Sequence, residues 1–187
     1  TMQASTRSFL KNRRAHKQLG MSLPLMAIFI GVAAIFVVVA IIYGTRYFQQ
    51  SKASNEITAL SDLKANIVSY GSRVGTFTAA NSSTAVLVGQ GLFPRSLIGG
   101  TPAAPTVTNQ WGGTVTPAVG TVNTAGDSLV ITTTGVPEAA CVIIGTSMDD
   151  MALRVAVGTT ETKAPGARTN PATVNTACAA GADNNTM

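Results

Sequence analysis

The chain predicts an α+β protein, with one long N-terminal helix packed on a small antiparallel sheet. Three observations carry that reading. No charged residue occurs from Met21 to Tyr43. Leu60, Leu63, Ile67, Tyr70 and Val74 then recur at steps of 3 and 4, the spacing of a helix with one apolar face. Beyond Gly75 the chain turns to short Val- and Thr-rich stretches punctuated by Gly and Asn, which read as strands.

The elements follow in order. Residues 1–20 hold Arg7, Lys11, Arg13, Arg14 and Lys17 and no acid, a basic flank to the apolar run. Residues 21–45 form a segment long enough to cross a bilayer as a helix and too long for the apolar part of a cleaved export signal. Its Val and Ile run suits a helix in lipid, where the backbone must bond internally. Pro24 is tolerated in a first turn, so the helix is expected to start near Met21 after a break at Gly20. Gly31 weakens the helix or permits close packing. Tyr43, Tyr47 and Phe48 fall where an interfacial aromatic belt belongs. Residues 46–75 continue the helix, to a total of about 50 residues and roughly 75 Å. Glu56, Asp62, Lys64 and Asn66 are expected mostly off its apolar stripe, and Gly71 and Gly75 mark its end.

Residues 76–187 read as a compact head. Residues 78–100 suggest one short helical or irregular element. NQWGGTVTPAVG and SLVITTTGV suggest two strands, and PEAACVIIGTSM a helix with Pro137 in its first turn. ALRVAVGTT suggests a strand in which Leu153, Val155 and Val157 alternate. From Thr159 onward the chain is poor in hydrophobics and is expected to wander unless something pins it.

Charge narrows the function. The net +5 arises wholly within residues 1–20, leaving eight basic against eight acidic residues after Gly20. A basic groove for nucleic acid is therefore not expected in the head. The single histidine, His16, also precedes the apolar run, so histidine-based catalysis is excluded beyond it. The asymmetry of flanking positive charge places residues 1–20 in the cytoplasm and the head outside.

Cys141 and Cys178 have no His or Cys near enough in sequence to complete a zinc site, and no metal is expected. In an oxidising compartment a disulfide is their natural state; in a reducing one they are two buried thiols. The outside placement of the head favours the bond, which would pin the C-terminal stretch. Asp149 and Asp150 could do acid–base work, but solvated loop acids are the commoner case. Lys163 has no partner at dyad spacing. Trp111 suits a core better than a ligand platform. The Gly-containing stretches GVAAI and GQGLF lack the Lys of a phosphate loop. No enzyme activity and no cofactor are expected.

The basic leader ending in Gly20, the uncharged helix from Met21, its amphipathic continuation and an α+β head with two C-terminal cysteines together resemble a type IV pilin. The long leader, Met21 as first mature residue, and VPEAACVIIGTSMDDM around Cys141 resemble the type IVb branch of toxin-coregulated, bundle-forming and conjugative thin-pilus pilins. NQWGG resembles the opening of that family's sheet. The resemblance implies a pilin fold, cleavage between Gly20 and Met21 by a prepilin peptidase, and a bond between Cys141 and Cys178. It further implies a helical homo-oligomeric filament whose core helix makes contacts through Leu25, Ile28, Ile35 and Val39. Its partners would be the pilus assembly machinery of the inner membrane, and its final place an extracellular pilus serving adhesion, aggregation or conjugation. One departure stands out: the family's usual Glu at the fifth mature position is Leu25 here. The alternatives are a minor pilin, a type II secretion pseudopilin, or a single-span membrane protein with a periplasmic binding domain.

Overall fold

The computed structural model describes residues 23–187. The expected break at Gly20 and the cleavage residues Gly20 and Met21 lie outside the described residues. So does the side chain of Leu25. The described chain divides into two units at the boundary between Ile41 and Ile42.

Helix α1 spans Leu23–Val74 without a break. Pro24 sits in its first turn, where no intrahelical donor is lost. In the first unit the described apolar side chains, from Met26 to Ile41, are exposed. From Ala53 onward one face is buried. Val74 is the last helical residue, and Gly75 takes φ +75°. The Gly75 N–H donates to the Gly71 carbonyl at 2.8 Å, closing the helix end. The expected stripe is present and extends further back, through Ala53, Glu56 and Ile57. Glu56 corrects the sequence reading. It lies one turn before Leu60 on the same face and is only 1% exposed.

The rest of the second unit follows in chain order. A short helix α2 (Thr84–Gly89) and a 3-10 turn (Arg95–Leu97) lead into strands β1 (Ile98–Thr101) and β2 (Ala104–Val107). Strands β3 (Val115–Thr121) and β4 (Ala125–Thr133) form the longest hairpin. Helix α3 (Glu138–Ser147) precedes strands β5 (Val155–Val157) and β6 (Thr160–Lys163), and helix α4 (Pro171–Gly181) comes last.

Where one small sheet was expected, three antiparallel two-stranded hairpins form, β1–β2, β3–β4 and β5–β6. Single backbone pairings stitch them together. Thr108 bridges Thr114 between the first two, and Val136 bridges Asn185. Thr133 and Met187 exchange N–H···O bonds of 2.8 and 2.9 Å, and the Gly158 N–H donates to the Thr186 carbonyl at 2.7 Å. The segment after α4 is thus tied by backbone bonds to the end of β4, to Val136 and to the β5–β6 turn. Asn185 holds it there, its buried amide donating to the carbonyls of Val136 and Ala182.

Several expectations fall at this level. The stretch after Thr159 is pinned by the Cys141–Cys178 bond, as expected, but carries more structure than expected, forming β6, α4 and the final pairing segment. Asn170 caps α4, its side chain accepting from the N–H groups of Ala172 and Thr173, and Pro171 takes the first helical position. Pro137 is the N-cap residue of α3, just outside the first turn. Leu153 lies outside β5 and is exposed, because β5 begins only at Val155. The NQWGG stretch is a turn preceding β3, built around Asn109. The Asn109 Oδ1 accepts from the N–H groups of Trp111 and Gly113, and its amide donates to Thr133 and Thr134. Residues 78–100 hold α2, the 3-10 turn and the start of β1, more than the single element expected.

Two apolar clusters fill the second unit. One joins Ala53 of α1 to Val136, Ala140, Cys141, Ile144, Val155, Val174 and Cys178, with Ile57, Leu60 and Trp111 against it. The other joins Leu63 and Tyr70 of α1 to Phe77, Leu87, Leu92, Phe93, Val107 and Val115. Consecutive turns of α1 therefore organise both halves of the head. Full burial of a side chain such as Leu87 stabilises by roughly 1.5–3 kcal/mol.

Candidate functional site

The features that bear on function lie on two lengths of α1 and at the disulfide. The first length is the apolar run. Ile28, Ile35 and Val39, expected in a filament core, are 63%, 66% and 43% exposed. Phe29, Ile30, Phe36 and Ile41 are exposed beside them. An apolar surface this continuous marks a membrane or protein contact in a water-exposed chain. By length and composition the helix can cross a membrane. Tyr43, Tyr47 and Phe48 are exposed at the end of the run, where an interfacial belt is expected.

The second length is the face of α1 that carries the head. Besides its apolar contacts, five of its polar side chains reach across. Gln49 Oε1 accepts the Trp111 indole N–H at 2.6 Å, and Glu56 Oε2 accepts the Gln110 N–H at 3.2 Å. The Lys64 ammonium donates to the Asp150 carbonyl, Asn66 to the Leu92 carbonyl at 3.0 Å, and the Tyr70 hydroxyl to the Asn81 carbonyl at 2.9 Å. Trp111 is half-buried against the first cluster and also donates a hydrogen bond, as its expected core role allows. Sequence reasoning missed Glu56. The signal was present in its spacing from Ala53 and Leu60, but a charged residue type argued against burial.

The disulfide lies at the centre of the first cluster. Cys141 of α3 and Cys178 of α4 are bonded, with Cα atoms 5.8 Å apart and both residues 0% exposed. The neighbouring turn shows why the two helices approach so closely. A Cβ on Gly145 would come within 2.8 Å of Val174 Cγ1. Gly145 and Val174 stand one turn from Cys141 and Cys178, so the missing side chain lets the antiparallel pair close and the sulfurs meet.

The loop leading into α4 is tied to the end of α3. Asp149 is partly buried and its Oδ1 accepts the Thr169 N–H, so it holds a loop rather than sitting solvated as expected. Asp150 is exposed, and nothing joins the two carboxylates in one site. Lys163 is buried, its ammonium donating to the carbonyls of Asp149 and Ala152. These carbonyls follow the C-terminus of α3, where a cation complements the helix dipole. The tip of the β3–β4 hairpin is closed by Asp127, whose carboxylate accepts the N–H groups of Val122, Asn123 and Thr124. Those donors, Thr124 first, hold its pKa down to about 2. Among the described residues, no three His, Cys, Asp or Glu side chains gather as a metal site.

A long apolar helix continued into an α+β head, with a disulfide tying the last helix to the head's core, is the architecture of a type IV pilin subunit. The fold matches the crystal structure of type IV b pilin from Salmonella typhi with a TM-score of 0.55 and 22% identity, covering 71% of this chain and 95% of that one. The family described as PilS N terminal matches residues 49–187, and the chain belongs to that family. No curated protein sequence matches it. The family match begins at Gln49, the residue that receives the Trp111 indole, and takes in the whole head.

Proposed function

We propose that this pilin is the structural subunit of an extracellular type IVb pilus. The observation that carries the proposal is the apolar run of α1, exposed all round in a chain whose other apolar clusters are covered by its own fold. Such a helix is held by lipid before assembly and by neighbouring subunits' helices afterwards. Lipid tails and neighbouring helices both keep these side chains from water, so the exchange is decided by packing between helices. The contacts run through Leu25, Ile28, Ile35 and Val39.

In this reading residues 1–20 orient the subunit, with the leader inside and the head outside. A prepilin peptidase cuts between Gly20 and Met21, and the assembly machinery of the inner membrane moves the mature subunit into the filament. The head faces outward and serves adhesion, aggregation or conjugation. With Leu25 in place of the family's usual Glu, no acid occurs between Met21 and Glu56 to meet a buried Met21 ammonium. That ammonium is met by solvent or by backbone carbonyls. Leu25 also favours a second reading, a minor pilin incorporated at low copy number.

Peptide mapping of material sheared from the cell surface tests the proposal. A new N-terminus at Met21 is expected. Retention of residues 1–20 on surface filaments would contradict the processing step. The ratio of this chain to other pilins in the same material separates a major from a minor subunit.

A further inference from the structure

Glu56 is an acid buried where α1 meets the NQWGG turn. Its Oε2 accepts the Gln110 N–H at 3.2 Å, and the residue is 1% exposed. Gln49, two helical turns earlier on the same face, accepts the Trp111 indole N–H. The two side chains together hold one turn against the helix. The turn is internally rigid, since the Asn109 N–H donates to the Gly113 carbonyl and the Asn109 side chain accepts from Trp111 and Gly113. The Asn109 amide also ties it to Thr133 and Thr134 at the end of β4, so it is the α1 side of the turn that can part.

The charges around Glu56 are few. Lys52 stands one turn earlier on α1 and is exposed. The turn of residues 109–113 has no ionisable side chain. Helix α3 carries only Glu138, which is exposed, and α4 carries none. Ionised Glu56 has the Gln110 N–H as its named donor, and the nearest cation along its own helix, Lys52, is exposed. Charge so placed is costly to desolvate.

We propose that the contact of Glu56 with the 109–113 turn is a proton-controlled latch, closed on α1 when Glu56 is neutral and loosened when it is ionised. The direction follows from two opposed effects. Burial raises the Glu56 pKa above its usual 4.5, and the Gln110 N–H lowers it by less. A raised folded-state pKa means that the latch is fully stable below the unfolded value and is weakened as pH rises through the folded one. The second unit contains no histidine, so no ordinary side chain there changes charge between about pH 5 and 8. Glu56, its pKa raised by burial, is the group in place to answer a rising pH. The latch belongs to the single subunit, so its failure would leave the filament proposal untouched.

Trp111 is the single tryptophan and reports on the latch directly. In the full chain in detergent micelles, its emission is expected to shift to the red as pH rises through the raised Glu56 pKa. Glu56→Gln is expected to abolish that shift and keep the acid-side emission. Amide exchange in the unmutated chain gives a second readout should the variant fold poorly. The Gln110 N–H is expected to lose protection over the same range, after correction for its intrinsic rate. The Asn109 N–H, bonded inside the turn, is expected to keep its protection. Identical emission profiles in the two proteins would overturn the latch. So would Gln110 protection that does not change with pH, or Gln110 and Asn109 opening together.

Discussion

Replacing both cysteines, Cys141→Ala with Cys178→Ala, measures how much of the head depends on its covalent tie. The bond joins residues 37 apart in sequence. Closing a loop of that size removes enough denatured-state entropy to stabilise the fold by about 4 kcal/mol at room temperature. The native side has little to replace it. In α4 only Val174, Ala177 and Cys178 are buried, and the segment beyond is held by backbone bonds to Thr133, Val136 and Gly158. Alanine keeps the positions apolar, so the loss is not confused with burial of a new hydroxyl. For a head of residues 42–187, a loss of that size lowers the unfolding midpoint by about 10–15 °C. Thermal unfolding of the full chain in detergent, followed by circular dichroism, is the assay. The unmutated chain under reducing conditions should match the double variant. A loss below about 1 kcal/mol would refute the argument that the bond clamps α4 to the core.

Two further outcomes follow from single residues. Asp127 has a folded pKa of about 2 against an ordinary 3.8, so its contribution is present above 3.8 and disappears as pH falls through about 2. An NMR titration should find the Asn123 and Thr124 amide shifts changing with a midpoint near 2; a midpoint at 3.8 would show that the carboxylate does not close the hairpin tip. Gly126 takes φ +78°, and a Cβ there would collide with the Phe77 carbonyl, so Gly126→Ala should cost about 1–3 kcal/mol in urea unfolding, whereas an unchanged midpoint would contradict the close approach.

Much of this architecture was legible in the residues. The uncharged run and the 3–4 spacing of Leu60 to Val74 specified α1, because helical periodicity over many turns leaves little choice. Cys141 and Cys178 could be paired once the head was placed outside. Other features were hidden for physical reasons. Helix α4 was missed because its buried face is only three small or medium side chains, although Asn170 before Pro171 is a start signal. The single expected sheet became three hairpins because each strand pair is short and neighbours meet only at isolated bridges. Glu56 was placed off the buried face because its charge outweighed its spacing. Nothing local to position 56 indicates that a backbone N–H from position 110 arrives there, since that contact is made only by the folded chain.

The central claim is that the exposed apolar length of α1 is the filament's core. Electron cryomicroscopy of filaments sheared from the cell surface tests it most directly. The account predicts thin helical filaments with Ile28, Ile35 and Val39 buried among neighbouring helices and the heads outermost. Filaments in which these side chains face solvent or lipid, or surface material containing only single subunits, would contradict it.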